Sequence, residues 1–291
     1  MEFRVLQYFL AVAREESVSG AAEYLHLSQP TLSRQLKDLE EELGKQLFIR
    51  GNRKITLTEE GMILRKRAEE ITELVKKAED EISASDDMLA GNITIGAAET
   101  DGNRFLIKAM NTLQEHYPLV HFNIISGDKV MITEAIDRGL IDFGLIFGNV
   151  DLTKYDSIPV PYKDTWGVLM RRDAPLADKE VITAEDLIDK PLIISRQAFQ
   201  NVEFKGFFHC EQEQLHIVAT YNLLFNGSLM ADEGMGYVLC FDKLVNVSGN
   251  SNLCFRPLEP RVEAGMSIVW KKYQVFSKPA QKFLQILQEK E

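Results

Sequence analysis

Cysteine is scarce. Three stand in 291 residues, Cys210, Cys240 and Cys254, and no two have C-x-x-C spacing. That excludes a disulfide framework or a thiolate zinc site as the organising device and points to reduced core or surface thiols in a cytoplasmic protein. Long apolar runs are missing too. No uninterrupted stretch of about 18 apolar residues occurs, and no apolar segment follows a basic N-terminus, so neither a membrane span nor a secretion signal is expected. Sequons starting at Asn92, Asn226 and Asn246 carry no meaning without such a signal. The five histidines (His26, His116, His121, His209 and His216) lack metal-ligand spacing. Gly234-Met235-Gly236 lacks the third glycine and the following acid of a dinucleotide fingerprint. His209 and Cys210 are neighbours in sequence, but adjacent helical residues do not face each other. No metal, no cofactor and no enzymatic constellation are expected.

What is present begins with an uneven charge. The chain carries −11 overall, yet residues 1–67 hold 11 Lys and Arg against 10 Asp and Glu. The acid lies in the remaining 224 residues, 34 against 22. Acidic bulk opposes non-specific phosphate attraction, so any basic surface must be placed locally. The length suggests two or three domains.

The first 61 residues are the most structured in pattern. Phe3, Leu6, Phe9, Leu10 and Ala13 form a helical stripe. Ser17 or Ser19 caps a second short helix through Ala21, Ala22 and Leu25, where small residues let another helix approach. Ser28 caps a third helix, with Pro30 in its first turn and Gly44 at its end. Leu32, Leu36, Leu39 and Leu43 make its buried stripe. Gln29, Thr31, Ser33, Arg34 and Lys37 then face outward, a row suited to base edges and phosphates or to plain solvent. Two short strands follow, Leu47 to Ile49 and Lys54 to Leu57, around a tip carrying Arg50, Arg53 and Lys54. A helix-turn-helix with such a wing is an element shaped for DNA grooves.

Thr58 caps the next helix, with Glu59 and Glu60 in its first turn. Leu64, Ala68, Ile71, Val75, Ala78 and Ile82 recur at alternating spacings of four and three, a heptad seam over a rod of about 28 Å that Leu89 extends weakly. Such a seam predicts a dimer, or else packing on the chain's own domains. Gly91 and Asn92 break it. Beyond them, strands at Ile93 to Gly96, Val120 to Ser126 and Ile141 to Phe147 alternate with helices at Arg104 to Tyr117 and Val130 to Arg138. A second unit runs through Trp166 to Met170, Leu192 to Ser195, Leu215 to Ala219, a helix over Tyr221 to Asp232, and Tyr237 to Phe241. Ser267 to Trp270 and a helix from Pro279 to Gln288 return to the first. The pattern predicts α/β lobes on a largely parallel sheet, with a ligand cleft between them.

Three spaced runs carry a family resemblance: Ala21-Ala22-x2-Leu25-x2-Ser28-Gln29-Pro30-Thr31-Leu32-Ser33, Leu39-Glu40-x2-Leu43-Gly44-x2-Leu47-Phe48-x-Arg50, and Leu57-Thr58-x2-Gly61. Ile93-Thr94-Ile95-Gly96, Gly139-x-Ile141-Asp142 and Gly234-x-Gly236 are weaker and follow in order. With these, the whole chain resembles the LysR-type transcriptional regulators of bacteria. The resemblance implies a winged helix-turn-helix domain (1–58), a linker and dimerisation helix (59–90), and a two-lobed effector domain like periplasmic binding proteins (91–291). Lobe I would hold 91–161 and 266–291, and lobe II 162–265.

The resemblance further implies a homotetramer built from dimers, promoter DNA as partner, a small-molecule effector and contact with RNA polymerase. Ser28, Gln29, Pro30, Thr31, Ser33, Arg34, Lys37, Arg50, Arg53 and Lys54 would meet DNA. Ala98, Glu99, Thr100, Phe147, Ser195, Arg196 and Gln197 would meet the effector. The chain departs from many relatives at Glu99, where they carry a small hydroxyl residue. Two readings of Glu99 stand side by side: a carboxylate pointing into the cleft, which disfavours anionic effectors unless Arg196 offsets it, or an acid at the N-terminus of the helix near Asn103. The alternative function is a DNA-bound regulator that acts through protein contacts without sensing a small molecule.

Overall fold

The structure is a computed structural model and describes residues 1–51, 54–83, 89–196, 206–209 and 212–289. Arg53, Gln197 and Cys210 lie outside the described residues, as does the side chain of Arg50. The described chain forms two compact units, Met1–Ser83 and Ala84–Glu291.

In the first unit, α1 (Phe3–Glu15), α2 (Val18–Tyr24) and α3 (Gln29–Leu43) precede β1 (Phe48–Arg50), β2 (Ile55–Leu57) and the long α4 (Glu59–Ser83). Ser17 is the cap of α2, its side chain accepting from the Gly20 N–H. Ser28 caps α3 by accepting from Thr31, and Gly44 ends it with a left-handed φ of 63°. Leu6, Phe9, Val12, Ala21, Ala22, Leu32, Leu36, Leu39 and Leu47 form one core. A buried leucine of this kind contributes about 1.5–3 kcal/mol.

Two expectations are corrected here. Leu43 does not continue the buried stripe. It is 40% exposed, at the last position of α3, where the chain turns at Gly44. The seam of α4 is also shorter than its periodicity. Ala68 is fully buried in this unit's own core and Leu64 packs against it. Ile71, Leu74 and Ile82 remain exposed.

The turn into the wing depends on residues whose purpose only the fold reveals. Glu40 Oε1 accepts from the Leu47 and Phe48 N–H groups at 2.6 and 3.1 Å. Thr58 accepts from Gly61 N–H at 3.0 Å and donates to the Gln46 carbonyl at 2.7 Å. A Cβ on Gly61 would stand 2.2 Å from the Leu47 carbonyl oxygen, so this close approach requires glycine.

The second unit alternates β3 (Gly91–Ala97), α5 (Asn103–His116), β4 (Val120–Ser126), α6 (Lys129–Asp137) and β5 (Phe143–Phe147). The long β6 (Tyr155–Arg171) leads to α7 (Ala184–Leu187), β7 (Leu192–Ser195), β8 (Ile217–Tyr221), α8 (Leu224–Asp232) and β9 (Tyr237–Phe241). Then come β10 (Leu253–Pro257), β11 (Glu263–Lys271) and α9 (Lys278–Glu289). The sheet order is β4-β3-β5-β11-β6-β9-β7-β8, with β10 beside β6.

The sheet is mixed rather than largely parallel. The pairs β3–β4, β3–β5, β7–β8 and β7–β9 are parallel. The pairs β11–β5, β11–β6, β6–β9 and β10–β6 are antiparallel. The reason is that the connection between the lobes is itself sheet. The expected boundaries at 161/162 and 265/266 fall inside β6 and β11, which pair along their length. Each lobe keeps its own core. Ile95, Leu106, Phe143 and Phe283 lie in lobe I, and Val168, Leu187, Ile194 and Leu239 in lobe II. Phe147 packs against both. Tyr221 ends β8 instead of opening the following helix, which starts at Leu224.

Candidate DNA-reading face and ligand cleft

On α3 the inward leucines leave Gln29, Pro30, Thr31, Arg34 and Lys37 exposed, while Ser33 is half-buried rather than outward. Ser28 is exposed beside them, its hydroxyl 2.7 Å from that of Thr31. Arg34 is 82% exposed and its nearest acid, Asp38, stands 4.0 Å away. Lys37 pairs with Glu41 at 3.3 Å. Exposed pairs of this spacing hold their cations by about 0.3–0.5 kcal/mol, so both are available to a phosphate. Lys54 on the wing pairs with Glu16, and Ile55 N–H donates to the Glu16 carbonyl at 2.9 Å, fixing the wing against the end of α1.

The second unit carries a cleft between its lobes. Ala98, Glu99, Phe147 and Ser195 of the expected effector residues line it, together with Gly127, Asp128, Trp166, Tyr221, Asn222, Leu224, Phe241 and Leu244. A second, more open hollow shares Glu99, Leu224 and Leu244 and includes Thr100, Asn103 and Ser228. Arg196 is exposed and lines neither.

The loops that shape the cleft are held by their own polar groups. Thr100 is buried, and its hydroxyl accepts from Gly102 N–H at 2.8 Å. Asn103 Nδ2 donates to the Ala98 carbonyl at 2.9 Å. Glu99 does cap a helix, but not the one beginning near Asn103. Its Oε2 accepts from the Leu224 N–H at the start of α8, across the cleft in lobe II. Asp128 caps α6, accepting from Met131 N–H at 2.9 Å. The rings form a wall, with Phe147 stacked on Phe241 at 4.6 Å and Trp166 tilted on Phe241 at 4.2 Å.

Trp166 and Asp128 line the cleft and Asp164 lies two positions before Trp166, yet none of the three was expected as a site residue. Asp128 had a readable signal, an Asp directly before an apolar helical period. Asp164 is 6% exposed, and its Oδ2 has no hydrogen-bond partner among the described residues. Burial pushes its carboxyl up to about 6. The Thr100 hydroxyl and Lys243 oppose that shift, while Asp101 and Asp242 add to it. Cys240 and Cys254 are buried free thiols, and burial raises both, so neither is poised as a nucleophile. No helix of the described residues is long and apolar enough to cross a membrane.

Comparison with known proteins agrees with both halves. Residues 3–62 match the bacterial regulatory helix-turn-helix protein model of the lysR family, and residues 86–291 match the LysR substrate binding domain. The HTH-type transcriptional regulator BsdA of Bacillus subtilis (strain 168) is 31% identical over 219 residues, 74% of this chain and 73% of BsdA. The Hca operon transcriptional activator HcaR of Escherichia coli (strain K12) is 30% identical over 300 residues, covering 100% of this chain and 98% of HcaR. Full-length CbnR, solved in complex with its target DNA, shares the fold with a TM-score of 0.78 at 20% identity, over the whole of both chains. The helix-turn-helix unit and the two-lobed domain thus have their counterparts in regulators rather than enzymes, and the chain belongs to the LysR family of DNA-binding transcriptional regulators.

Proposed function

We propose that this protein occupies paired half-sites in a promoter as an oligomer and alters transcription when a small molecule enters the interlobe cleft. The observation that carries the DNA part is the outward row Gln29, Thr31, Arg34 and Lys37, exposed on a capped helix whose opposite side is buried leucine. Gln29 and Arg34 read base edges. Lys37, the wing basics Arg50 and Arg53, and Lys54 neutralise phosphates. The stretch Ile71, Val75, Ala78 and Ile82 of α4, exposed apart from the half-buried Val75, pairs with a second copy, and two dimers assemble into a tetramer. Ile82, 85% exposed, supports this reading.

Ala98, Glu99, Phe147 and Ser195 surround the effector, whose binding changes how the oligomer engages DNA and RNA polymerase in the cytoplasm. The test is protection of DNA upstream of the protein's own gene and its neighbours at two salt concentrations. The expected result is a pair of protected half-sites with affinity falling steeply as salt rises. Protection that does not depend on salt overturns the phosphate-contacting face. Binding that no added metabolite alters favours a regulator acting through protein contacts.

A further inference from the structure

We propose that the interlobe cleft takes a small organic cation, an amine or quaternary ammonium on an apolar body, and rejects carboxylate effectors. The proposal rests on reading the cleft as the effector site and adds the charge class of its ligand.

A helix N-terminus is where an anionic ligand is ordinarily held. Two such termini meet this cleft, those of α6 and α8, and the chain has filled both with its own carboxylates. An incoming anion would meet Asp128 at one and Glu99 at the other. Each acid spends one oxygen on its cap, Asp128 Oδ1 on Met131 and Glu99 Oε2 on Leu224. Their second oxygens carry no hydrogen bond from the described residues.

Among the described residues, no Lys, Arg or His lines either hollow. The cations next in sequence to lining residues are directed elsewhere or exposed. Lys129 donates to the Asn149 carbonyl at 2.6 Å, and Arg196 and Lys243 are exposed. Four aromatic residues, Phe147, Trp166, Tyr221 and Phe241, stand in the rest of the wall, and ring faces attract cations and repel anions. A further acid stands behind it. Asp164 lies two positions before Trp166 on β6, hence on the same side of the strand, with its buried unpartnered oxygen. Two carboxylates beside aromatic faces, with no cation in the described lining, fit an ammonium group and leave a carboxylate only uncharged donors such as the Asn222 amide.

The experiment is calorimetric titration of the full-length protein with three probes that share one ring: benzyltrimethylammonium, benzyl alcohol and benzoate. The expected order places the cation first, roughly tenfold or more tighter than benzoate. Glu99→Gln and Asp128→Asn each keep an oxygen to cap their helix and remove the charge. Each lowers cation affinity several-fold, and the double variant removes the preference. Glu180→Gln, an exposed acid lining neither hollow, leaves the preference intact and so separates the cleft from the general net charge of −11. Benzoate binding tightest overturns the proposal. So does a cation preference that survives the double variant, or the absence of cation binding up to about 10 mM. Operator binding is measured on the same samples. Its loss counts against the regulator reading, whereas intact operator binding with the wrong probe order counts only against the charge class.

Discussion

The reading helix and the interlobe cleft use charge in opposite ways. On α3, Arg34 stands in solvent with its acid at 4.0 Å. So exposed a pair is held loosely, which leaves the guanidinium free for the DNA contact proposed for it. In the cleft, Glu99 and Asp128 are tied to helix ends, caps that contribute about 0.5–2 kcal/mol each. Those charges are fixed before any ligand arrives. A loosely paired surface gives affinity that salt can tune, whereas a capped pair sets a permanent field that sorts ligands by sign.

The largest effect should come from behind the reading face. Leu32 is fully buried and holds α3 onto α1 and α2. Leu32→Ala should cost the first unit about 2–5 kcal/mol. Denaturant unfolding followed by hydrogen exchange of the α3 amides measures it. Undiminished protection would mean that the exposed row does not depend on the leucines beneath it.

Next comes the seam. Ile71 is exposed on α4, midway between the buried Ala68 and the half-buried Val75. Ile71→Asp should raise the dimer dissociation constant about 100-fold or more, because an uncompensated carboxylate would be buried in the pairing surface. Sedimentation velocity at micromolar concentration reads this directly. A dimer of native strength would show that Ile71 faces solvent in the assembly, and the contrast between surfaces awaiting a partner and charges already fixed would lose one of its members.

The first unit was legible because its signals are local. Caps, a proline in a first turn and a leucine period act within a few residues, and Ser28, Pro30, Leu32, Leu36 and Leu39 do what their spacing says. Its errors came where the neighbour is distant. Leu43 fits the helical period but is left 40% exposed at the end of α3, and Ala68 fits a heptad but is taken by the first unit's own core. In the second unit the element order was readable, while the site was only half so. Glu99 and the α8 terminus are 125 positions apart, and no periodicity links them. The antiparallel pairing of β6 with β11 spans about a hundred residues and likewise leaves no local trace. Asp164 sits in a stretch that reads as an ordinary polar connection. Only the long strand through it, closing over Thr100, makes it buried.

A smaller effect is expected at the loosely held cations themselves. Arg34→Ala should weaken specific operator binding by about 1–3 kcal/mol if the guanidinium reads a base edge, with relaxed discrimination at one position. Lys37→Ala should weaken all sequences alike and lower the salt slope by about one. Titrating both variants on the operator and on random DNA separates the two roles. Equal losses on both DNAs for Arg34 would reassign it to phosphate.

Asp164 supplies the smallest and most pointed contrast, since this acid behind the cleft wall has no helix end to hold it among the described residues. Burial, opposed by the Thr100 hydroxyl, pushes its carboxyl up to about 6. The folded chain therefore holds this proton more tightly than the unfolded chain, whose value is near 4. The stabilisation is complete below the unfolded value and is lost as pH rises through about 6. Asp164→Asn keeps the shape and cannot ionise, so it should gain on the parent chain as pH is raised from about 4 to 7. With solvent reach taken into account, the gain should be about 1–2 kcal/mol. The measurement is the difference in unfolding free energy between the two chains across that range, which cancels the carboxylates common to both. Asp137 and Asp186, held low by Lys271 and Lys179 respectively, act in the opposite direction and are among those that cancel. A flat difference would mean that Asp164 ionises without cost, as the capped acids do.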